Sequence, residues 1–118
     1  AASSQFKARE LTATFTNYGQ TIVDLFAPGV RLKSTIPNNQ YAIFSGTSMA
    51  CPAAAGVAAL VWSQNPDKSV LQIKQMLLQS TRSRAGLNVR LPSDHSVDVP
   101  FETLSRTGGI VDAFRALQ

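Results

Sequence analysis

The chain has 118 residues, 44% of them hydrophobic, and a formal net charge of +4. That length suits one small domain or part of a larger one, and the composition can bury a core. Its arginines (Arg82, Arg84, Arg90, Arg106 and Arg115 in the last third) lack interleaved aromatics, which argues against nucleic acid as a partner, and its one cysteine, Cys51, excludes an internal disulfide.

Leu11 to Phe15 alternates apolar residues with threonine, as a half-buried strand does. Asn17-Tyr18-Gly19 supplies a turn. Thr21 to Phe26 is a second β-rich run, closed by Pro28-Gly29, and Val30 to Ile36 a third. Pro37-Asn38-Asn39 marks another turn, after which Tyr41 to Phe44 reads as a strand. Thr47 to about Gln64 reads as a buried helix with Pro52 near its start, where proline is tolerated. Its apolar run, Met49 to Trp62, is too short and too rich in alanine and glycine to span a bilayer. Cys51 reads as a small buried hydrophobe on it. The small residues around Gly56 would let this helix press close to a neighbour.

Asn65-Pro66-Asp67 ends that helix. Ser69 to Gln72 is a capping-box pattern for another, in which Val70, Ile73, Met76 and Leu77 recur at core-facing spacing. Thr81 to Pro100 is irregular and polar, with room for a short strand around Leu87 to Leu91. Thr107-Gly108-Gly109 precedes a short final helix, Ile110 to Leu117, with Ile110, Val111, Phe114 and Leu117 toward the core.

The stretch Ser45-Gly46-Thr47-Ser48-Met49-Ala50-Cys51-Pro52 therefore stands where a strand hands over to a helix. A helix's first turn has N–H groups without intrahelical partners and a positive dipole end. Negative charge developing beside Ser48 would meet donors already in place. The rival reading is that Thr47 or Ser48 merely caps the helix. A serine nucleophile needs a base. The one histidine, His95, reads as a surface loop residue, and the acidic residues show no calcium-loop spacing.

The stretch Ser45 to Pro52 resembles the motif around the active-site serine of subtilisin-like serine proteases. The Gly56-Val57-Ala58-Ala59-Leu60 run, Phe15 to Gly19 with Phe26 to Val30, and Thr107 to Ala113 resemble the family in the same order. Ala1 to Ser4 is similar to the end of a core strand there. The tail from Val99 to Ala113 is similar to bacterial, Bacteroidetes-type cell-envelope members. Ala53 departs from the many members with histidine after the motif's proline. That histidine is not the family's catalytic base.

The resemblance implies an α/β fold, the C-terminal part of a three-layer architecture whose mostly parallel sheet is flanked by helices. It implies a serine endopeptidase acting on peptide or protein substrates, secreted or in the cell envelope. Ser48 would be the nucleophile, its backbone N–H and Thr47 would serve the oxyanion, and Ser45, Gly46 and Met49 would line the substrate cleft. The family's Asp, His and oxyanion Asn precede its serine, so residues 1–118 read as the C-terminal portion of a catalytic domain. An upstream segment or a companion chain would carry Asp and His, and this chain alone would be inactive. Calcium is common in the family, but no site transfers to these residues. The alternative is a non-catalytic peptide-binding or scaffold module derived from the same family.

Overall fold

A computed structural model describes residues 1–4 and 8–118. The elements are β1 (Ala2–Ser3), β2 (Ala27–Pro28), β3 (Leu32–Ile36), β4 (Gln40–Phe44), α1 (Thr47–Gln64), α2 (Val70–Gln79), β5 (Arg82–Ser83), β6 (Asn88–Leu91), β7 (Asp94–Pro100), β8 (Gly109–Ile110) and α3 (Ala113–Ala116). Short 3-10 turns lie at Ala8–Glu10 and Phe101–Leu104. The α/β class is as expected, with small sheets. β1 pairs with β2 in parallel, and an isolated parallel bridge joins Phe26 to Ile110. The other pairs, β3–β4, β5–β8 and β6–β7, are antiparallel.

The two helices form where their sequences begin them. α1 spans the expected Thr47–Gln64, with Pro52 inside its early turns. α2 opens on the expected capping box: Ser69 N–H donates to Gln72 Oε1 at 2.8 Å and Gln72 N–H to Ser69 Oγ at 3.4 Å. Ile73 and Leu77 are buried as their spacing predicts, but Val70, in the first turn, is exposed.

The β runs before β3 come out differently. Leu11 to Phe15 is not a strand, since only Thr12 bridges, antiparallel to Ser3. Thr21 to Phe26 pairs only at Phe26, and the strand begins at Ala27. Conversely, the polar stretch after Thr81 holds the β6–β7 hairpin, longer than one short strand. This hairpin is tied back to the early chain. The Thr12 hydroxyl donates to Arg90 O at 2.7 Å, the Tyr18 and Ser93 hydroxyls share a hydrogen bond of 2.6 Å, and Arg9 pairs with Asp98.

Three small apolar clusters make the core. One joins Leu11, Phe26, Val89, Phe101 and Leu104. A second is almost all alanine (Ala2, Ala13, Ala27, Ala50) and seats the start of α1 on β1 and β2. The third packs Val61 at the far end of α1 against Ile73 of α2 and Ala116 of α3.

The final helix is shorter than expected. Ile110 belongs to β8, α3 covers Ala113–Ala116, and Phe114 points to solvent. Asp112 caps α3. Its carboxylate accepts the Arg115 N–H at 3.1 Å and the Arg82 Nε–H at 2.8 Å. The Arg115 N–H first, and the Arg82 guanidinium after it, hold the Asp112 carboxyl below the ordinary carboxylate range. A lowered folded pKa stabilises the fold fully above the unfolded value of about 4, and that contribution disappears as pH falls through the folded value. Asp112→Ala is therefore expected to cost about 1 kcal/mol near neutral pH. In urea melts at stepped pH, the gap to the parent chain should close below about pH 4.

Candidate functional site

Ser48 occupies the second position of α1, exposed, at the end of the β3–β4 hairpin. The N-cap is Gly46, and no side chain makes a capping hydrogen bond. Neither Thr47 nor Ser48 therefore acts as the cap, and both are exposed. The Met49 and Ala50 N–H groups both reach the Gly46 carbonyl, at 3.1 and 3.3 Å. Among the described residues this leaves the Thr47 and Ser48 N–H groups as the open donors of the first turn. Two unpaired donors at a helix's positive end form an oxyanion-type environment beside the Ser48 hydroxyl.

A groove runs alongside, lined by Leu32, Ile36, Phe44, Ser48, Met49 and Pro52 among others. The structure thus brings Ser48 and Met49 to one surface, between the hairpin and the helix. Thr47 lines a different depression with Asn17, Ile22 and Asp24. Ser45 precedes this junction, its hydroxyl accepting the Arg31 N–H at 2.8 Å.

Gly46 has no internal reason to be glycine. Its φ of 164° is extended backbone. A Cβ there would meet Met49 Sδ at 3.5 Å and Ser48 N at 3.7 Å, ordinary contacts. Gly29 is the opposite case. A Cβ there would fall 2.7 Å from Ala2 Cβ, 2.8 Å from the Gly46 carbonyl oxygen and 3.1 Å from Ala50 Cβ.

His95 is not a surface loop residue. It lies in β7, half-buried, and its Nε2 is buried without a hydrogen-bond partner among the described residues. It lines a separate groove with Glu10, Thr12 and Phe15. The Asp94 carboxylate beside it is engaged by Ser96, accepting the hydroxyl at 2.6 Å and the N–H at 3.0 Å. These bonds, the hydroxyl's first, hold the Asp94 carboxyl below its ordinary range.

Cys51 is exposed rather than buried. No group of three His, Cys, Asp or Glu side chains among the described residues could hold a metal ion. Asp24, a carboxylate near Thr47, is engaged by Lys74 at 2.7 Å and Arg106 at 3.5 Å. No helix among the described residues is long and apolar enough to cross a membrane.

A family model described as the subtilase family (Peptidase_S8) matches residues 2–101. The match stops before most of the tail that carries the Bacteroidetes-type resemblance. Alkaline elastase YaB from Bacillus sp. (strain YaB) is 55% identical over 65 residues, covering 55% of this chain and 17% of that protein. Subtilisin Savinase from Lederbergia lenta is 44% identical over 77 residues, covering 65% of this chain and 28% of that protein. Among solved structures, a cold adapted subtilisin-like serine proteinase matches with a TM-score of 0.63 and 31% identity over 89% of this chain and 34% of its own. The A-subunit of the AB5 toxin from E. coli matches with a TM-score of 0.66 and 27% identity over 85% of this chain and 28% of its own. This chain therefore spans about a third or less of each of these relatives.

Proposed function

The chain belongs to the subtilase family, and on that premise we propose that it is the nucleophile-bearing portion of a serine endopeptidase. The observation that carries this reading is the exposed Ser48 hydroxyl beside two open N–H donors at the start of α1. In this reading the Ser48 Oγ attacks the scissile carbonyl carbon and its proton passes to a base. The carbonyl oxygen becomes an oxyanion facing the Ser48 N–H, assisted by Thr47. Collapse expels the amine, which takes the proton, and water then releases the acyl group from Ser48. Gly46, with nothing in its own fold that requires glycine, leaves room for a substrate backbone beside Ser45. Met49 lies on the leaving-group side.

The base and its orienting acid come from outside residues 1–118, on an upstream segment of the catalytic domain or a companion chain. The bare surface of α1 supports this. Leu60 and Trp62 are exposed, and a Cβ on Gly56 would meet nothing within 4 Å. A mid-helix glycine costs about 1 kcal/mol relative to alanine, which a closely seated neighbour would justify. Tyr41, Ile43 and Phe44 on the hairpin are exposed as well. Buried apolar area drives such an association. The isolated chain is then inactive. By analogy with the subtilisins it resembles, the complete protein acts outside the cytoplasm, secreted or in the cell envelope.

A fluorophosphonate probe added to the complete enzyme should phosphonylate Ser48, as read by peptide mass mapping, and labelling should stop peptide hydrolysis. Labelling at another residue would remove Ser48 as the nucleophile, and no labelling would favour the non-catalytic module.

A further inference from the structure

The contact between Gly29 and Gly46 joins the core to the nucleophile's turn. Gly46 N–H donates to the Gly29 carbonyl at 2.7 Å, and Gly29 N–H donates to the Ser3 carbonyl at 3.0 Å. One residue earlier on the β4 side, the Ser45 hydroxyl accepts the Arg31 N–H at 2.8 Å. Arg31 reaches that position with φ of 55°, a left-handed conformation disfavoured for a side chain of this size. The turn 29–31 thus grips Ser45 and Gly46 by two hydrogen bonds, both just before Ser48. It is itself anchored to β1. Gly29 is buried, and the space its Cβ would take is crowded by Ala2, the Gly46 carbonyl and Ala50. One grip holds the Gly46 backbone directly and the other holds the residue before it, so together they set where the chain enters α1.

We propose that Gly29 and Ser45 are positioning residues for Ser48. They fix the backbone of the α1 first turn, and so the place of the Ser48 Oγ relative to the open Thr47 and Ser48 N–H groups. This rests on Ser48 being the nucleophile. Ser45 then acts through the hydrogen bond that its oxygen accepts from the Arg31 N–H. A Cβ on Gly29 cannot be accommodated without displacing Ala2, Ala50 or the Gly46 carbonyl. Each of these would shift the turn, and a displacement of about 1 Å costs on the order of 10²-fold in rate.

The test uses the complete enzyme. Fluorophosphonate labelling at Ser48 is established first in the parent. If Ser48 is not labelled, the nucleophile reading falls and takes this proposal with it. Given labelling, kcat is measured per phosphonate-titrated site, which removes any unfolded fraction from the comparison. Gly29→Ala is expected to lower kcat per site about 10²-fold with KM little changed, and to slow phosphonylation in parallel. Ser45→Ala, a milder change that serves if Gly29→Ala fails to fold, should lower the same two rates about 10-fold. Ser45→Thr, which keeps the accepting hydroxyl, should restore most of that loss. Unchanged kcat per site in Ser45→Ala overturns the proposal while the nucleophile reading stands. So does a Ser45→Ala effect confined to KM, which would make Ser45 a substrate contact.

Discussion

Ser48→Ala is expected to lower kcat of the complete enzyme by on the order of 10⁶, with KM nearly unchanged. The magnitude is carried over from loss of the nucleophile in subtilisin. The direction and the selectivity follow from the proposed role of Ser48 as nucleophile. The Thr47 and Ser48 N–H groups are backbone donors and survive the substitution, so carbonyl polarisation and substrate binding persist while acyl transfer to the side chain does not. The Ser48 side chain makes no capping hydrogen bond and is exposed, so stability should change by less than about 0.5 kcal/mol. Turnover and a thermal melt of the same sample separate the two effects. Residual hydrolysis within about tenfold of the parent would remove Ser48 from the chemistry. A collapse of the melt would mean that the hydroxyl has a structural role not visible in this fold.

The second large effect is on stability and lies far from the serine. Phe101 is fully buried and packs against Phe26, with ring centroids 4.9 Å apart and planes tilted by 47°. Around the pair lie Leu11, Val89 and Leu104. Phe101→Ala removes the ring from the centre of this cluster and leaves a cavity, at a cost of about 3–5 kcal/mol. Native domains are stable by only about 5–15 kcal/mol, so this cost is a large fraction of what one domain has. Phe101 N–H also donates to Leu87 O at 2.8 Å, which tethers the β6–β7 hairpin. Phe26 N–H donates to Gly109 O at 3.0 Å and Phe26 O accepts the Val111 N–H at 2.8 Å, which holds the tail. Loss of the ring should loosen both. In urea, the midpoint should fall sharply, and a lower slope would report partial release of the hairpin. A midpoint shift worth less than about 1 kcal/mol would show that the cluster collapses to fill the space.

Helix α1 can be read from the residues because its signals are local: a glycine before it, an unbroken apolar and alanine run, and Asn65-Pro66 after it. The α2 capping box is legible for the same reason, two side chains three residues apart satisfying each other's backbone. The β3–β4 hairpin is legible from Pro37-Asn38-Asn39, where Asn38 and Asn39 take φ of 66° and 55°. Segments whose partners are distant mislead. Leu11 to Phe15 has strand-like alternation, yet Thr12 alone finds a strand-type partner, in Ser3. Asp94–Pro100 alternates polar and apolar residues only from Ser96 to Val99, in an exposed ribbon whose register with β6 shifts between Arg90 and Leu91, so its pairing is weakly marked in the sequence. Residue type and spacing point Cys51 and Val70 to the interior, but both face outward.

The candidate site divides along the same line. Ser48 and its turn are written in consecutive residues. The Gly29–Gly46 hydrogen bond joins positions distant in the chain through backbone atoms, and such contacts leave no side-chain signature. In the sequence Gly29 shows only as the end of a strand, although the crowding around it is the reason glycine stands there.

Helix α1 is held at two places. Ala50 seats its first turn and Val61 its last, and these are its two buried residues. Between them the inner face is half-buried, with Ala53 and Ala54 packed on the alanine cluster and Val57 and Ala58 on the Val61 cluster, while Ala55, Gly56, Ala59 and Leu60 are exposed. Ser48 stands about 20 Å along the axis from Val61. A rotation of about 3° about that far end would move the serine by about 1 Å, the scale on which rates change 10²-fold. A substitution at Val61, Ile73 or Ala116 that tilts the helix would therefore press on Ala50 and the first turn, and reach Ser48 from a cluster about 20 Å away.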